Sequence, residues 1–231
     1  MKLHRFIGKF DLNKKELVID DKDFAHQVTK VLRMQTGQAL ILCDGYGREA
    51  VGRIDSIDKK SVTIILEDAK EISVETSKKV FLFCAVLKRE NFELVVQKAT
   101  EVGVWEIVPI ITERTVKQSL KMDRVRLIAK EAAEQSGRGH VPLVNDPIPL
   151  ASAMERARDH EVNYFYDLNI ESEAPTQKNP QRAGVWIGPE GGWSDMEVEQ
   201  AKRAGFLLQN LGSLTLRAET AAIVASYMAC N

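Results

Sequence analysis

Residues 185–194 read VWIGPEGGWS, and this stretch determines the local fold on both sides of it. Its first three residues form an apolar run that is typical of a buried strand. Ser194 and Glu197 have the spacing of a capping box, in which the two side chains satisfy backbone N–H groups at the start of a helix. We therefore predict a strand, a glycine-rich loop and a helix that begins after Ser194.

The loop between this strand and helix is Gly188-Pro189-Glu190-Gly191-Gly192. Glycine exposes backbone N–H and C=O groups and adopts dihedral angles that other residues avoid. Ligands of parallel α/β sheets bind at the carboxyl ends of the strands, and N–H groups ahead of a helix can donate to polar ligand atoms. The pattern therefore predicts a pocket for a small-molecule cofactor in an enzyme. The alternative is a tight β-to-α turn without a ligand.

The rest of the C-terminal part alternates strands and helices in the same way. An uninterrupted apolar run, such as the one at residues 80–87, is typical of a strand that is covered on both faces. Predicted strands cover residues 80–87, 104–111, 162–166, 185–187 and 206–208, and predicted helices cover residues 90–102, 122–136, 195–205 and 218–229. This alternation predicts an α/β domain with a mainly parallel sheet.

The N-terminal part has shorter apolar runs, which alternate with polar residues. Strands are predicted at residues 39–43, 50–54 and 61–66, and Asp44-Gly45-Tyr46-Gly47 is a hairpin signal. A helix is predicted before them, with an apolar side formed by Phe24, Val28, Val31 and Leu32. We predict a small β-barrel with one helix. Residues 67–79 are polar and form the predicted linker, so the predicted domains are residues 1–70 and 74–231.

A second candidate loop, residues 211–221, follows the predicted strand at residues 206–208 and reads LGSLTLRAETA. Leucines occur here where polar loop residues would be expected, which suggests an apolar wall against a flat ring. Arg217 and Glu219 flank the start of the last helix, where a carboxylate also interacts favourably with the helix dipole. The alternative is a capped helix with a chance ion pair.

The composition is that of an ordinary globular protein. Of the 231 residues, 44% are hydrophobic and 28% are charged, and the formal net charge of -1 neither favours nor excludes a nucleic-acid partner. Cys43, Cys84 and Cys230 are far apart and odd in number, which argues against a zinc site or a disulfide framework. No apolar run has the length of a signal-peptide core at the N-terminus or of a membrane span. We expect a cytoplasmic protein that binds neither a membrane nor a metal.

Several common cofactor and hydrolase motifs do not occur in the sequence. It contains no G-x-G-x-x-G, Walker A, H-E-x-x-H or G-x-S-x-G pattern, so the corresponding enzyme classes are weak hypotheses. Two other classes stay open. One is a noncatalytic RNA-binding module, against which the glycine-rich second half argues. The other is a different cofactor enzyme, such as a nucleotide-dependent transferase.

The two loops belong to a set of five segments that extends over nearly the whole chain. The set consists of Val31-Leu32-Arg33; residues 97–103 with Pro109 and Glu113-Arg114; residues 131–138 with Val141-Pro142; residues 187–192; and Leu211-Gly212 with residues 216–221. In this collinear order the segments resemble the bacterial ribosomal RNA small-subunit methyltransferase E family.

The resemblance implies a fold and an activity. The expected fold is α/β, with a SPOUT-type C-terminal domain that contains a trefoil knot and a small PUA-like N-terminal β-barrel, normally in a homodimer. The expected activity is methylation of uridine N3 in 16S ribosomal RNA of the small ribosomal subunit, with S-adenosylmethionine as the cofactor. The chain departs from the family at His26-Gln27, where two histidines are common, and at Ser213-Leu214-Thr215, where a basic residue is common. The resemblance therefore assigns no catalytic role to His26 and implies no basic contact at residues 213–215.

The family pattern and the chemistry of the loops together provide candidate site residues. S-adenosylmethionine is expected to contact Tyr166, Ile187, Gly188, Pro189, Glu190, Gly191, Gly192, Leu211, Gly212, Leu214, Leu216, Thr220 and Ala221. Arg217 and Glu219 are the candidate catalytic residues, because N3–H has to lose a proton and negative charge develops on the uracil carbonyls. RNA contacts are expected from basic side chains at Arg5, Arg33, Lys88, Arg89, Arg114 and Arg138. Arg138 lies between two glycines and is expected to reach outward.

Overall fold

The computed structural model describes residues 3–72, 77–116, 119–170 and 179–231. The chain forms two compact units, Met1–Glu75 with Ala133–His140 and Thr76–Ala132 with Val141–Asn231. Residues 73–76 of the predicted linker lie outside the described residues. Among the helices of the described ranges, none combines the length and the apolar character that a bilayer crossing requires. The same ranges contain no group of three or more His, Cys, Asp or Glu residues that could hold a metal ion.

The first unit is built on one sheet. Its strands are β1 (His4–Ile7), β2 (Glu16–Ile19), β3 (Ala39–Cys43), β4 (Arg48–Ile57), β5 (Val62–Leu66) and β6 (Lys70–Glu71). The strand order is β1-β3-β4-β5-β2, with β6 paired to β4, and only the β1–β3 pair of this described sheet is parallel. The three predicted strands are confirmed. The prediction lacks β1, β2 and β6, the last of which lies within the predicted linker, because a strand of two to four residues contains too little periodic pattern to be recognised.

The predicted N-terminal helix is only partly right. A short helix, α1 (Lys22–His26), continues into a π-helical turn (Gln27–Val31) with i→i+5 hydrogen bonds. Such a turn changes the angular spacing of the side chains. Phe24 and Val28 are buried, whereas Val31 is 62% exposed. The predicted position of Val31 on the apolar side is therefore wrong.

The second unit alternates strands and helices. Its strands are β7 (Lys79–Ala85), β8 (Glu106–Ile111), β9 (Leu143–Val144), β10 (Ile148–Pro149), β11 (Val162–Tyr166), β12 (Arg182–Ile187) and β13 (Leu207–Gln209). Its helices are α2 (Arg89–Val102), the part of α3 (Met122–Ser136) up to Ala132, α4 (Leu150–Arg156), α5 (Asp195–Arg203) and α6 (Ala218–Cys230). The strand order is β10-β8-β7-β12-β11-β13 with β9 beside β8, and every described pair is parallel. This confirms the predicted parallel α/β fold, to which β9, β10 and α4 are additions.

Helices on both faces of this sheet explain the apolar run in β7. Val80, Leu82 and Cys84 belong to a core that includes residues of α2 and α6. Phe81 and Phe83 belong to a second core, which includes residues of α4 and α5. Because successive strand residues point to opposite faces, a strand between two cores has to be apolar at every position.

The register of the parallel sheet aligns the ends of four strands. Cys84 pairs with Ile187, Ile187 pairs with Tyr166, and Tyr166 pairs with Gln209. The strands β7, β12, β11 and β13 therefore end side by side. The loops that follow them leave the sheet at one edge, although they are far apart in the sequence.

Candidate ligand pocket

A cavity of about 710 Å³ opens at the sheet edge where β7, β12, β11 and β13 end. Its size lies within the range of small-molecule sites in proteins. The lining comes from Lys88 and Asn91, from residues 166–169, from residues 187–193, and from the chain between Leu211 and Ala221. Parallel α/β sheets bind their ligands at this edge, so both loops identified in the sequence lie where a ligand would bind.

Trp193 closes the glycine-rich loop onto the sheet. Its indole Nε1–H donates to the carbonyl oxygen of Tyr166 at 2.9 Å, and the residue is 5% exposed. A Cβ atom on Gly188 would lie 3.0 Å from this indole, closer than an ordinary van der Waals contact, so the ring would have to shift to admit a larger residue. Gly192 has a φ of +70°, and its N–H donates to the carbonyl of Pro189 at 2.9 Å. The loop is thus a tight turn that also lines a cavity.

Two further side chains brace the loop. Arg114 Nη1 donates to the carbonyl oxygens of Gly191 and Trp193, at 3.0 Å each. The predicted capping box at the start of α5 is confirmed, with one carboxylate oxygen of Glu197 accepting the N-cap N–H at 2.9 Å. The other oxygen of Glu197 accepts the N–H of Glu113 at 2.8 Å. These bonds join the loop and α5 to the chain that follows β8, which fixes the shape of the cavity wall.

The loop after β13 forms an apolar wall of the cavity. Leu211, Leu214 and Leu216 line the cavity, and Leu214 is 77% exposed. Asn210 holds the base of this loop, because its Oδ1 accepts the N–H of Gly212 at 2.6 Å. Its side-chain Nδ2 donates to carbonyl oxygens in the loop after β11, the nearer at 2.8 Å. The leucines are therefore presented by a loop that is tied to the neighbouring one.

Arg217 and Glu219 lie at the start of α6 and line the same cavity. Arg217 is the exposed N-cap residue, and Glu219 lies in the first turn and is only 7% exposed. The buried Glu219 Oε2 has no hydrogen-bond partner among the described residues. A buried carboxylate oxygen without a partner costs folding free energy, which calls for a functional explanation such as contact with a ligand. Glu190 differs, because its Oε1 accepts the N–H of Lys88 at 3.2 Å and so braces its own loop.

Burial controls the protonation of two groups beside the cavity. It raises the pKa of the Tyr166 phenol to about 12, and the charge of Tyr164 is the second cause. It also raises the pKa of the Cys84 thiol, to which the negative charges of Glu190 and Glu219 add. Both groups therefore stay protonated near neutral pH. Tyr166 can donate a hydrogen bond there, but it cannot act as a base, and Cys84 cannot act as a thiolate nucleophile.

The structure brings the residues predicted to contact the cofactor together, with one exception. The cavity is lined by Tyr166, Ile187, Gly188, Pro189, Glu190, Gly191, Gly192, Leu211, Gly212, Leu214, Leu216 and Ala221. Thr220 is exposed and does not line it. Thr220 thus lies in the first turn of α6 outside this lining, and its contact with the cofactor stays a prediction.

Other lining residues lie outside the predicted set. They are Asp167, Leu168, Asn169, Asn91, Trp193, Thr215 and Ala218. The first three directly follow β11, and the carboxyl end of a parallel strand is itself a signal for such a position. Asn91 has no comparable signal, because only the pairing of β7 with β12 brings the start of α2 to the cavity.

The predicted RNA contacts differ in how accessible their charges are. Arg33 and Lys88 are exposed, and Lys88 also lines the cavity. Arg89 is exposed and pairs with Glu93 at 3.0 Å. The Arg5 guanidinium is 2.6 Å from Glu49, and only 14% of its side chain is exposed. The guanidinium of Arg5 thus forms an ion pair within the first unit and is largely buried.

Two of the residues predicted to contact RNA, Arg114 and Arg138, have surroundings in the structure that the sequence did not indicate. Arg114 donates to the glycine-rich loop, as described above. The expectation that Arg138 reaches outward is wrong, since the residue is 6% exposed. Gly137, which directly follows α3, has a φ of +86°, so the helix ends and the chain changes direction immediately before the buried Arg138.

Two family models match the chain. One is described as an RNA methyltransferase domain and matches residues 74–229, and the other is described as an RNA methyltransferase PUA domain and matches residues 19–67. The chain is similar to a ribosomal RNA small subunit methyltransferase E from Mesomycoplasma hyopneumoniae, with 38% identity over 155 residues that cover 64% of this chain and 68% of the relative. A protein of the same name from Bacillus subtilis is 31% identical over 215 residues, covering 87% of this chain and 84% of the relative.

A solved structure agrees with the sequence matches. It is a ribosomal RNA small subunit methyltransferase E from Neisseria gonorrhoeae bound to S-adenosyl methionine, and it has a TM-score of 0.88 and 27% identity to this chain. The similarity covers 98% of this chain and 96% of that one. The matches therefore extend over both units and include the glycine-rich loop and the start of α6. This chain belongs to the ribosomal RNA small subunit methyltransferase E family.

Proposed function

We propose that this protein is an S-adenosylmethionine-dependent methyltransferase that methylates N3 of a specific uridine in 16S ribosomal RNA of the small ribosomal subunit. The observation that carries the proposal is the cavity at the carboxyl ends of four parallel strands. Glu219 lines this cavity, and its buried Oε2 has no hydrogen-bond partner in the part of the chain that the structure describes. The names of the relatives support the substrate class, and the ligand of the Neisseria protein supports the cofactor.

The residues around the cavity fit S-adenosylmethionine, which supplies an electrophilic methyl group when bound. Leu211, Leu214 and Leu216 offer an apolar surface for a purine ring. The loop at residues 187–193 offers backbone groups with little side-chain cover, and it is held rigid by hydrogen bonds. A rigid loop does not have to be ordered when the ligand binds, which lowers the entropic cost of binding.

Glu219 is the proposed base for the N3 proton of the uridine. Its buried Oε2 has no hydrogen-bond partner among the described residues, and proton removal by a positioned carboxylate is an established mode of general base catalysis. Tyr166 is excluded from this role because its raised pKa keeps the phenol protonated. Arg217, two residues away at the helix start, is proposed to stabilise the negative charge that develops on the uracil carbonyl oxygens. Holding the acceptor in line with the methyl group is the other contribution of the site.

RNA phosphates are proposed to contact the exposed basic side chains of Arg33 and Lys88, whereas Arg89 is a weaker candidate because it pairs with Glu93 at 3.0 Å. Arg5 and Arg114 are weaker candidates, because Glu49 and the loop carbonyls already engage their guanidinium groups. Non-specific phosphate contacts of this kind set the affinity and its salt dependence, whereas the choice of uridine depends on other contacts.

The family also implies finer architecture, which we propose for this chain. Residues 1–70 would form a PUA-like β-barrel, and residues 74–231 would form a SPOUT-type domain with a trefoil knot. A homodimer is supported by exposed apolar side chains on α6 at Val224, Tyr227 and Met228. Exposure of such a stripe to water is unfavourable, and an interface with a second copy of the chain would bury it. On this proposal the protein acts in the cytoplasm on ribosomal subunits, without a metal.

The decisive experiment uses the full-length protein, methyl-labelled S-adenosylmethionine and small ribosomal subunits that lack the modification. We expect label in 3-methyluridine after nucleoside mass spectrometry and a rise in melting temperature with the cofactor. No label in RNA and no such rise would refute the methyltransferase proposal and leave a noncatalytic RNA-binding module. Label in another nucleoside would refute the uridine N3 target. A rise in melting temperature with a nucleotide instead would indicate a different cofactor enzyme.

A further inference from the structure

Tyr46 lies at the tip of the hairpin between β3 and β4, in the first unit. It is 87% exposed, the largest exposed fraction among the large hydrophobic and aromatic side chains of the described residues. A tyrosine ring that is left in water forgoes the stabilisation that burial would provide. The ring is also absent from the hydrophobic core of the unit. Its position is therefore not explained by the stability of the fold.

The backbone that carries this ring is fixed by the hairpin itself. Asp44 Oδ1 accepts the N–H of Tyr46 at 2.8 Å and the N–H of Arg48 at 3.1 Å. The N–H of Asp44 in turn donates to the carbonyl of Arg48 at 3.1 Å. The exposed side chain of Tyr46 is thus attached to a turn whose backbone is ordered by hydrogen bonds.

The segment after α3 holds the tip from a second side. The N–H of Gly47 donates to the carbonyl of Gly139 at 3.3 Å, and Tyr46 and His140 form an isolated antiparallel bridge. From a third side, the N–H of Ile72 donates to the carbonyl of Gly47 at 2.8 Å. A Cβ atom on Gly139 would lie 3.1 Å from the Cα of Gly47, so the close approach requires glycine. Three separate parts of the unit hold this one aromatic residue in position.

Charged side chains of both signs lie around the tip. The carboxylate of Asp44 is used by backbone N–H groups, as described above. Glu49 is neutralised by Arg5 at 2.6 Å and by Lys70 at 3.4 Å. The guanidinium of Arg48 donates to the neutral amide oxygen of Asn13 at 3.2 Å, so this contact leaves its positive charge uncompensated.

We propose that Tyr46 is a stacking platform for an unpaired base of the RNA substrate. The inference rests on the proposed function, because that function makes RNA the ligand. Proteins recognise single-stranded RNA by stacking splayed bases on exposed aromatic rings, and a ring on a fixed backbone binds with a small loss of entropy. Tyr46 combines the two properties that this mode needs, an open ring face and a rigid support. The bound base lies outside the methyl-transfer cavity and adds affinity for the substrate rather than chemistry.

The test compares Tyr46→Ala, Tyr46→Phe and Val18→Ala in the full-length protein. Val18 is a matched control, since it is a 62% exposed apolar side chain of the same unit. One measurement is the affinity for a fluorescein-labelled RNA hairpin with an unpaired loop. The other is kcat and KM for methyl transfer to unmodified small ribosomal subunits. Melting temperatures establish that all three variants are folded.

Loss of base stacking should weaken binding of the hairpin by Tyr46→Ala roughly 5- to 100-fold. KM for the subunit should rise, whereas kcat, the melting temperature and cofactor affinity should not change. Tyr46→Phe and Val18→Ala should behave like the wild type. Unchanged hairpin affinity in Tyr46→Ala overturns the proposal, and a raised KM for subunits alone would then identify a ribosomal protein as the partner of the ring. If the wild type transfers no methyl group to RNA, the proposed function fails, while the binding comparison still decides the role of Tyr46.

Discussion

The indole N–H of Trp193 donates to the carbonyl oxygen of Tyr166 at 2.9 Å and so joins the end of the glycine-rich loop to the end of β11. The Trp193 ring also stacks on Phe165, with 4.4 Å between the ring centroids. Trp193 and Tyr166 both line the cavity. The packing of the loop and the shape of the cavity therefore depend on each other, and substitutions in the loop should change stability and ligand affinity together.

Trp193→Phe keeps an aromatic ring but removes the donor. We expect the free energy of unfolding to fall by about 1 kcal/mol for the lost hydrogen bond, with a further loss because the smaller ring leaves space. S-adenosylmethionine should bind several-fold more weakly, since the loop is less well fixed. Urea denaturation and calorimetric titration measure the two effects. Trp105→Phe is the control, because Trp105 does not line the cavity. Equal cofactor affinity in the two variants would contradict the proposed link.

Gly188→Ala and Gly191→Ala form a matched pair within the loop. A Cβ atom at Gly188 would lie 3.0 Å from the Trp193 indole, whereas one at Gly191 would lie 3.5 Å from Arg114, which is an ordinary contact. We expect Gly188→Ala to lower the free energy of unfolding by about 1–3 kcal/mol through overpacking, and Gly191→Ala to change it little.

The same pair separates packing from ligand contact. If Gly191→Ala weakens cofactor binding at unchanged stability, the ligand approaches the backbone at Gly191. If Gly188→Ala has the stability and the cofactor affinity of the wild type, the packing of the Trp193 indole does not depend on the missing side chain at residue 188.

Glu219→Gln tests the proposed base while preserving the shape of the side chain. We expect the single-turnover rate of methyl transfer to fall about 100-fold or more, with little change in cofactor affinity. Stability should not decrease, because a neutral amide is less costly to bury than a carboxylate without a partner. Glu199→Gln on the exposed side of α5 provides the control. A wild-type rate in Glu219→Gln would exclude the residue as the base.

The raised pKa of Tyr166 predicts a loss of stability at alkaline pH. Burial moves this pKa from an ordinary value of 10.0 to about 12. Between these values the unfolded chain loses the phenolic proton and the folded chain keeps it, so stability falls as the pH rises. The slope from this group approaches about 1.4 kcal/mol per pH unit.

Denaturation in urea between about pH 8 and about pH 11 measures that slope. Tyr166→Phe should have a shallower alkaline loss than the wild type, and Tyr46→Phe, at an exposed position, should match the wild type. Parallel curves for the wild type and Tyr166→Phe would show that the phenol keeps an ordinary pKa in the folded state.

Arg114→Ala tests whether Arg114 supports the loop or contacts RNA. Because its Nη1 donates to the carbonyls of Gly191 and Trp193, we expect cofactor affinity to fall several-fold. The dependence of RNA affinity on salt should stay close to that of the wild type, since a phosphate contact would reduce the slope by about one. Arg203→Ala, on the exposed surface of α5, is the control. A lower salt slope with unchanged cofactor affinity would assign Arg114 to RNA.

The sequence by itself determined the features that depend on neighbouring residues. The capping box at Ser194, the bounds of α3 and the strand at residues 162–166 are found as predicted. The glycine-rich loop and the loop with Leu214 are also recognisable locally, because glycine conformation and misplaced apolar residues leave a pattern within a few positions. These loops and the rule that ligands bind at strand ends were sufficient to predict the cavity.

Only the tertiary structure decided which side chains are exposed, which are engaged and which lie together. It buries Arg138, leaves Thr220 outside the cavity lining and brings Asn91 to it. Within the described ranges it also leaves Glu219 Oε2 buried without a hydrogen-bond partner, and it supports Tyr46 from parts of the chain that are far apart in sequence. The physical reason is that burial and hydrogen-bond partners depend on strand register and on packing between distant residues, to which a local pattern of side chains contributes no information.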